Sequence, residues 1–223
     1  MTLSEVQSRT RFASMSMKLT ICGQVVLLIL VLYGIHLFSG IHSDEQLEDL
    51  VLEQYTSATV GMYGLALGIL LCTAFAFVSW MLGLFDFHQA QGLDHPFGRR
   101  YVGWAFFIPF LNLVRPYQVV SSLTTGSLYL TEKEDHGLKR QVLFWWLTYL
   151  SGNMFSYFSD RLMQSSDEMD VYLSALWLEA AGTLLSLISA YLILQVIESH
   201  DRLLSAGQMS ADPDGTRPPE DHW

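Results

Sequence analysis

Glu179 is the residue whose position most directly implies chemistry, because it lies inside an apolar stretch, residues 172–197. An ionised side chain at the centre of a bilayer costs at least ~2.5 kcal/mol, so such a carboxyl group faces protein, pairs with a donor or carries a proton. One hypothesis is a proton or ion relay in which Asn153 supplies a second intramembrane polar group. The alternative, which nearby Trp177 favours, is a hydrogen-bonded packing residue close to the outer membrane interface.

A second polar group, near the end of another apolar stretch, combines side chains that can bind metals: Asp86, His88, Asp94 and His95. Carboxylates and neutral imidazoles are ligands for borderline metals, and a turn at Gly92 would bring several of them together. Their spacing, however, matches no tight metal signature. We therefore expect no bound metal and no cofactor, and interpret these residues as polar groups that end a membrane span and meet lipid headgroups.

Other catalytic patterns are absent from the sequence. It contains no glycine-rich phosphate loop with a lysine, no zinc-protease helix motif and no nucleophile elbow. The two cysteines, Cys22 and Cys72, lie in apolar stretches and indicate neither a disulfide nor a thiol metal site. A net charge of −10 without a concentrated basic surface argues against nucleic-acid binding. The sequence thus favours a protein that is not an enzyme.

The elements that must position these side chains are apolar helices. The 223 residues are 51% hydrophobic and only 15% charged, a composition typical of an integral membrane protein. Four stretches approach the ~20 residues that a helix needs to cross the hydrocarbon core. They are residues 19–38, 60–87, 142–158 and 172–197. We therefore predict an all-α integral membrane protein with a four-helix transmembrane bundle. The first stretch is too long for the core of a cleaved signal peptide, so we expect an uncleaved anchor.

The distribution of charge predicts the orientation of these spans. Basic residues are concentrated before the first stretch, between the second and third, and after the fourth, whereas the loops 40–59 and 159–171 are acidic. By the positive-inside rule, both termini and the central region are expected on the cytoplasmic side of the inner or plasma membrane. This orientation requires an even number of spans. The main rival is a five-span arrangement in which residues 101–120 also cross.

The segment between the second and third stretches, GRRYVGWAFFIPFLNLVRPY at residues 98–117, is apolar yet contains Pro109, Asn112, Arg115 and Pro116. Lipid cannot satisfy the backbone groups that a proline frees, nor the charge. We therefore expect a re-entrant or interfacial helical segment over about 101–126, with both ends in the cytoplasm. Pro116 suits the first turn of a surface helix that ends near Gly126.

The same region carries the side chains expected to hold it at the cytoplasmic interface. Three arginines are placed to meet anionic headgroups: Arg99, Arg100 and Arg115. Aromatic residues typical of a membrane interface accompany them: Trp104, Tyr117, Trp145 and Trp146. The lipid bilayer is the expected partner, and a protein partner or a second copy of the chain is the other partner considered.

Two tails flank the membrane domain, which is expected to cover residues 19–200. Residues 1–18 are expected to form a flexible or surface-lying cytoplasmic tail, and residues 201–223 a flexible one. A glycine face on the second stretch predicts close approach of two helix backbones through Gly61, Gly64 and Gly68. In the fourth stretch, small and polar residues recur at three- and four-residue intervals and predict a stripe that faces protein: Ala175, Glu179, Gly182, Ser186 and Ser189.

The order of residues around the central segment resembles a known family. The pattern is Gly103-Trp104, Pro109, Asn112-Leu113, Arg115-Pro116-Tyr117 and, after a gap, Trp145-Trp146. It is similar to the core of the bacterial membrane-protein family catalogued as domain of unknown function 4328. The resemblance covers roughly residues 60–198 and implies a compact multi-span protein, but no activity. This chain has Asp86, His88 and Gln91 where the family pattern has basic and asparagine residues, which indicates a divergent member.

Three classes of function follow from these observations. The leading hypothesis is a non-enzymatic scaffold, sensor or accessory subunit, with the region from Gly98 to Gly126 as its working surface. The alternative is a small-molecule or ion transporter or channel that uses the intramembrane carboxylate of Glu179. A weaker alternative is a lipid-modifying enzyme that works at the inner interface through Asp86, His88 and Asp94.

Overall fold

The computed structural model describes residues 2–40, 45–104, 113–165 and 168–211, and within these ranges it has six α-helices and no strand. The helices are α1 (Leu3–Ser39), α2 (Glu45–Ala90), α3 (Arg99–Trp104), α4 (Arg115–Leu130), α5 (His136–Met163) and α6 (Met169–Ala211). The predicted all-α class is confirmed. Three helices are long and apolar enough to cross a membrane, within Leu3–Ser39, Glu53–Ala90 and Met169–Ala206. The predicted third stretch lies in α5, which has 28 residues but is less apolar.

Helix α1 begins far earlier than the predicted span. The Thr2 hydroxyl accepts a hydrogen bond from the backbone N–H of Glu5, and the Glu5 carboxylate accepts one from the N–H of Thr2 at 2.8 Å. This reciprocal capping box satisfies donors that a helix start leaves free. Val6 and Ala13 are buried in the protein core. The prediction of a flexible or surface-lying tail over residues 1–18 is therefore wrong from Thr2 onward.

The other end of the chain shows a similar extension. Helix α6 continues past the predicted boundary at residue 200 to Ala211. Leu204 is buried, and the Gln7 amide donates a hydrogen bond to the Ser205 hydroxyl at 3.0 Å. The first part of the predicted flexible tail is thus helical and joined to α1. Residues 212–223 lie outside the described part of the chain.

Two hydrophobic clusters hold the helices together at opposite ends. The larger joins the start of α1, the end of α2, α4, the start of α5 and the end of α6 around the fully buried Trp80, Met81 and Leu84. The smaller lies at the far end of α1, where the Phe38 ring meets the edges of Tyr55 and Tyr172 at centroid distances of 5.3 and 5.2 Å. The middle of the bundle lies between these clusters.

Helices α5 and α6 come into backbone contact at two glycines. A Cβ on Gly182 would lie 3.1 Å from the Gly152 carbonyl oxygen and 2.8 Å from Ser156 Oγ. Small residues allow such backbone contact between membrane helices. The Ser159 hydroxyl adds a hydrogen bond to the Ala175 carbonyl at 2.8 Å. The predicted protein-facing stripe on the fourth stretch is therefore confirmed, because its residues lie in this contact.

The predicted glycine face of α2 has a different environment. A Cβ built on Gly61, Gly64 or Gly68 meets no described atom within 4 Å. The close backbone contact expected there is not made within the described chain. Instead, α2 and α1 meet at larger side chains, including Ile69, whose Cδ1 lies 3.6 Å from a Cβ built on Gly23.

Helix α4 was expected to lie on the membrane surface and to end near Gly126. It begins at Arg115 with Pro116 in its first turn, as predicted, but continues to Leu130. Val120 and Leu123 are fully buried in the larger cluster. The apolar face of α4 therefore packs against protein.

Candidate functional site

A partly open cavity of about 350 Å³ lies on the side of the bundle between the two clusters. Each of the four long helices contributes polar side chains to it. Its polar lining consists of Thr20, Gln24, Tyr63, Ser156, Asp160, Glu179, Thr183 and Ser186. Because these positions fall within or beside the apolar stretches, the cavity forms a polar compartment inside a mostly apolar bundle.

Glu179 is held in this cavity by partners on two other helices. Its side chain is only 7% exposed. The Tyr63 hydroxyl of α2 donates a hydrogen bond to Glu179 Oε1 at 3.1 Å, and the Ser156 hydroxyl of α5 is a second partner. Hydrogen bonds to a carboxylate are stronger than those between neutral groups, so both donors favour the charged form. Burial opposes this effect, because it disfavours charge.

Asp160 brings a second carboxyl group to the cavity. It follows Ser156 by one helical turn of α5 and lines the same space as Glu179. Asp160 is itself exposed. Together the two carboxyl groups give the cavity a negative character that a proton or a small cation can offset.

Asn153, the other predicted intramembrane polar residue, does not join Glu179. Its side chain is exposed on α5 and donates a hydrogen bond to the Tyr149 carbonyl at 2.7 Å. Sequence reasoning missed the partners Tyr63, Ser156 and Asp160. The four-residue spacing from Gly152 through Ser156 to Asp160 places these residues on one face of α5 and was a usable signal.

The predicted metal-ligand cluster separates into two arrangements. Arg99 binds Asp86 through two hydrogen bonds, Nε to Oδ1 at 2.8 Å and Nη2 to Oδ2 at 3.2 Å. This contact raises the pKa of the Arg99 guanidinium. Arg99, one of the three arginines expected to meet headgroups, is therefore paired with a carboxylate of the protein. Asp94 is exposed in the loop after α2. In the described residues, no three potential ligands converge on one metal position.

The two histidines of that cluster, in contrast, meet directly. His88 Nδ1 and His95 Nε2 are 3.0 Å apart, which requires that one of these nitrogens carries the proton. The predicted turn is present at Gly92, whose φ of 78° brings the chain back toward α2. A Cβ on Gly126 of α4 would lie 2.8 Å from His88 Nδ1, so only glycine leaves room for the pair.

Two serines of α4 complete a hydrogen-bonded row. His88 Nε2 is 3.0 Å from Ser127 Oγ, and His95 Nδ1 is 3.1 Å from Ser122 Oγ. His88 is fully buried, whereas burial of His95 is partial and lowers the pKa of its imidazole. Sequence reasoning missed both serines, because their five-residue spacing has no regular helical meaning and their partners lie on another element.

The membrane-interface motif lies at the same end of the bundle. The Trp146 indole N–H donates a hydrogen bond to the Leu113 carbonyl at 3.0 Å, so the tryptophan pair fixes the chain where it enters α4. Arg115 lies over the Tyr101 ring at 5.4 Å and donates a hydrogen bond to Gln118 at 3.0 Å. Trp104 is largely exposed at the end of α3, in which Gly103 also lies.

The remaining residues of the membrane-interface motif have structural roles or lie outside the described residues. Pro109 and Asn112 lie outside the described residues. Pro116 is buried in the first turn of α4, and Tyr117 packs partly against the larger cluster. Trp145 is buried there too, with its ring centroid 5.4 Å from that of Trp146. These described positions have structural contacts that explain their residue types.

Comparison with known proteins gives one match. The family model described as "Domain of unknown function (DUF4328)" matches residues 44–202. No curated protein and no solved structure matches the chain. The match covers α2 to α6 almost completely and includes the cavity residues of those helices, the histidine pair and the interface motif.

Proposed function

We propose that this chain, which belongs to the DUF4328 family, is a membrane protein that binds and moves a small cation through the Glu179 cavity. The function of the family is unknown, so the proposal is based on the geometry of the chain. The observation that carries this proposal is the position of Glu179. A buried carboxyl group with two donors and a nearby second carboxyl group can be neutralised by a proton or a small cationic ligand.

The proposal includes α5 as a fourth span beside the three helices that are apolar enough to cross. Large apolar side chains point outward along α5, including Leu147, Met154 and Phe158, which are about half exposed. Exposed apolar surface of this extent is stable in lipid but costly in water. The backbone contact with α6 at Gly152 supports a second helix at the same depth.

The orientation follows from charge and from one contact. With four spans, the positive-inside rule favours both termini, and the end of the bundle that carries the larger cluster, on the cytoplasmic side. Tyr101 and Arg115 flank residues 105–112 and are in contact with each other. This contact supports a segment whose two ends lie on the same side of the membrane. A re-entrant or interfacial segment near Arg100 and Arg115 would face anionic headgroups.

The size of the cavity limits the ligand. A volume of about 350 Å³ lies at the lower end of the ~300–1,000 Å³ range of small-molecule sites. Large organic substrates are therefore poor candidates. A proton, a hydrated monovalent cation or a small organic amine matches both the volume and the charge.

Flux in proteoliposomes tests the proposal. The full chain is reconstituted with a trapped pH-sensitive dye, and proton movement is followed under imposed Na⁺ or K⁺ gradients. We expect flux above protein-free liposomes and, for Glu179→Gln, a loss of about tenfold or more, which corresponds to ~1.4 kcal/mol in the activation free energy of transport. Glu198→Gln is the matched control, because Glu198 lies on the same helix but pairs with Lys18 outside the cavity.

Two results would contradict cation movement. One is equal flux through the wild-type protein and Glu179→Gln. The other is no flux from a protein that is reconstituted and folded, which would instead favour the scaffold or accessory role expected from the sequence.

A further inference from the structure

We propose that Ser122, His95 and His88 form a nucleophilic site that cleaves carboxylic esters of anionic amphiphiles, separate from the Glu179 cavity. Nucleophilic serines require a base within hydrogen-bond reach and a third group that orients the base. Here Ser122 Oγ is 3.1 Å from His95 Nδ1, and His95 Nε2 is 3.0 Å from His88 Nδ1.

The hydrogen-bonded row leaves His95, the base, in its active form when each member of the row donates its proton to the next member, from Ser122 toward Ser127. His88 Nε2–H then donates to Ser127 Oγ, and His95 Nε2–H donates to His88 Nδ1. His95 Nδ1 is left without a proton and accepts from the Ser122 hydroxyl. His88 is a positioning residue, because it fixes the tautomer of His95 and does not face the pocket.

Packing keeps the His95 ring in this orientation. Its ring is stacked with Phe85 at 5.3 Å and with Phe97 at 5.6 Å, measured between ring centroids. Burial lowers the pKa of His95, so its imidazole is neutral and able to accept a proton near pH 7. Gly126 permits the contact, because a Cβ there would collide with His88.

Ser122 lines a surface pocket of about 490 Å³ that can receive a substrate. Its lining also includes Tyr101, Arg115 and Gln118. The Tyr101 hydroxyl is buried and has no hydrogen-bond partner among the described residues, so a small rotation of its ring into the pocket would give it one, and a developing oxyanion is a suitable acceptor. The Arg115 guanidinium supplies the positive charge that selects an anionic substrate.

The pocket also lies beside apolar surface. Leu113 and Val114 directly precede Arg115 and are each more than half exposed. An amphiphile could place its acyl chain against them and its charged group near Arg115. This combination indicates an ester of an anionic lipid as the substrate class.

The reaction balances with water as its only co-reactant. Ser122 Oγ attacks the ester carbonyl carbon while its proton moves to His95 Nδ1. The bond to the alcohol then breaks, and the departing oxygen takes the proton from His95. Water attacks the acyl-serine in the same way, which releases the carboxylic acid and restores Ser122.

Labelling with a fluorophosphonate probe tests the nucleophile in the full chain, held in lipid nanodiscs. We expect the wild-type protein to be labelled at Ser122, as located by peptide mass spectrometry, and Ser122→Ala to lose the label. Ser121→Ala is the matched control, since Ser121 is the adjacent residue and lies outside the row. His95→Gln is expected to lower the labelling rate by about 100-fold, the usual contribution of a general base.

Thiol chemistry separates a catalytic role from a structural one. With Cys22 and Cys72 replaced by serine, Ser122→Cys is expected to react with iodoacetamide about tenfold faster at pH 7 than Ser121→Cys, because a neighbouring imidazole promotes the thiolate. His88→Gln should reduce this difference. Equal rates at the two positions, or an unlabelled wild-type protein with normal helix content, would overturn the proposal.

The substrate class is tested with lipid vesicles. Release of fatty acid from phosphatidylglycerol, faster than from phosphatidylcholine, is expected and should disappear in Ser122→Ala. Equal release from both lipids would overturn the role of Arg115, and no release from either would overturn the assignment to lipid esters. None of these results depends on flux through the Glu179 cavity.

Discussion

Arg115 and Tyr101 are in contact across residues 105–112, with the guanidinium carbon 5.4 Å from the centre of the Tyr101 ring. A guanidinium over an aromatic face is an attractive arrangement. The contact also constrains the path of the chain, because the residues before and after the intervening segment lie at the same place. This end of the bundle carries the contacts of Asp86 with Arg99 and of Trp146 with Leu113 as well.

Single cysteines should therefore report one side of the membrane for both flanks of this segment. In a protein without Cys22 and Cys72, Arg100→Cys and Gln118→Cys are both exposed positions. We expect a membrane-impermeant maleimide to label both from the cytoplasmic side. Asp170→Cys, at the start of α6, should react only from the other side. Labelling of positions 100 and 118 from opposite sides would establish a crossing segment and the five-span arrangement.

Glycine substitutions on two helices should have opposite effects on stability. Gly182→Ala adds a methyl group 2.8 Å from Ser156 Oγ and 3.1 Å from the Gly152 carbonyl oxygen. We expect overpacking to cost about 1–3 kcal/mol. Gly64→Ala meets no described atom within 4 Å, so it should be neutral or stabilising by up to ~1 kcal/mol. Thermal unfolding in one detergent measures both, and equal destabilisation would contradict the α5–α6 contact.

Stability should fall in mild acid because of His95. Burial lowers its pKa in the folded protein below the ordinary value of 6.5, so the unfolded chain binds the proton more readily. The contribution of neutral His95 is thus complete above pH 6.5 and is lost as the pH falls through the folded-state value. The groups that face it are His88 on α2, Ser122 on α4 and Asp94 in its own loop, and His200 of α6 influences His88.

The measurement is the unfolding midpoint between pH 8 and pH 5. His95→Gln should show a smaller decline than the wild-type protein over this interval. Since other groups titrate in both proteins, the difference between the two curves is the quantity to compare. Parallel curves would show that His95 has the same proton affinity in the folded and unfolded states.

Local periodicity made part of this structure predictable. The stripe from Ala175 to Ser189 could be placed against protein because helical spacing aligns its members whatever the neighbour is. Pro116 could be placed at a helix start because its ring and missing N–H suit only a few backbone positions. The all-α class followed from the length and apolarity of the stretches.

Contacts between distant elements could not be predicted in this way. The Tyr63 hydroxyl meets Glu179 across 116 residues of sequence, and their approach depends on how α2 and α6 are rotated and spaced. The His88 contact with Ser127 depends similarly on the turn at Gly92 and on the path into α4. The helical N-terminus was missed because its buried face, although at helical spacing, includes the polar residues Thr10 and Ser14 beside Val6 and Ala13, so it shows no strong amphipathic pattern.

Helices α1 and α6 are long enough for a small change of tilt to produce a large displacement at their ends. Their 37 and 43 residues correspond to about 55 and 64 Å at a rise of ~1.5 Å per residue, roughly twice the ~30 Å hydrocarbon core. Each of these helices therefore continues without a break from the cavity into the larger cluster. A tilt of ~10° about the cavity would displace a helix end ~30 Å away by about 5 Å, one helical turn. A change of tilt at the depth of Glu179 would thus be felt as a movement of one turn at the end of the bundle that carries the larger cluster.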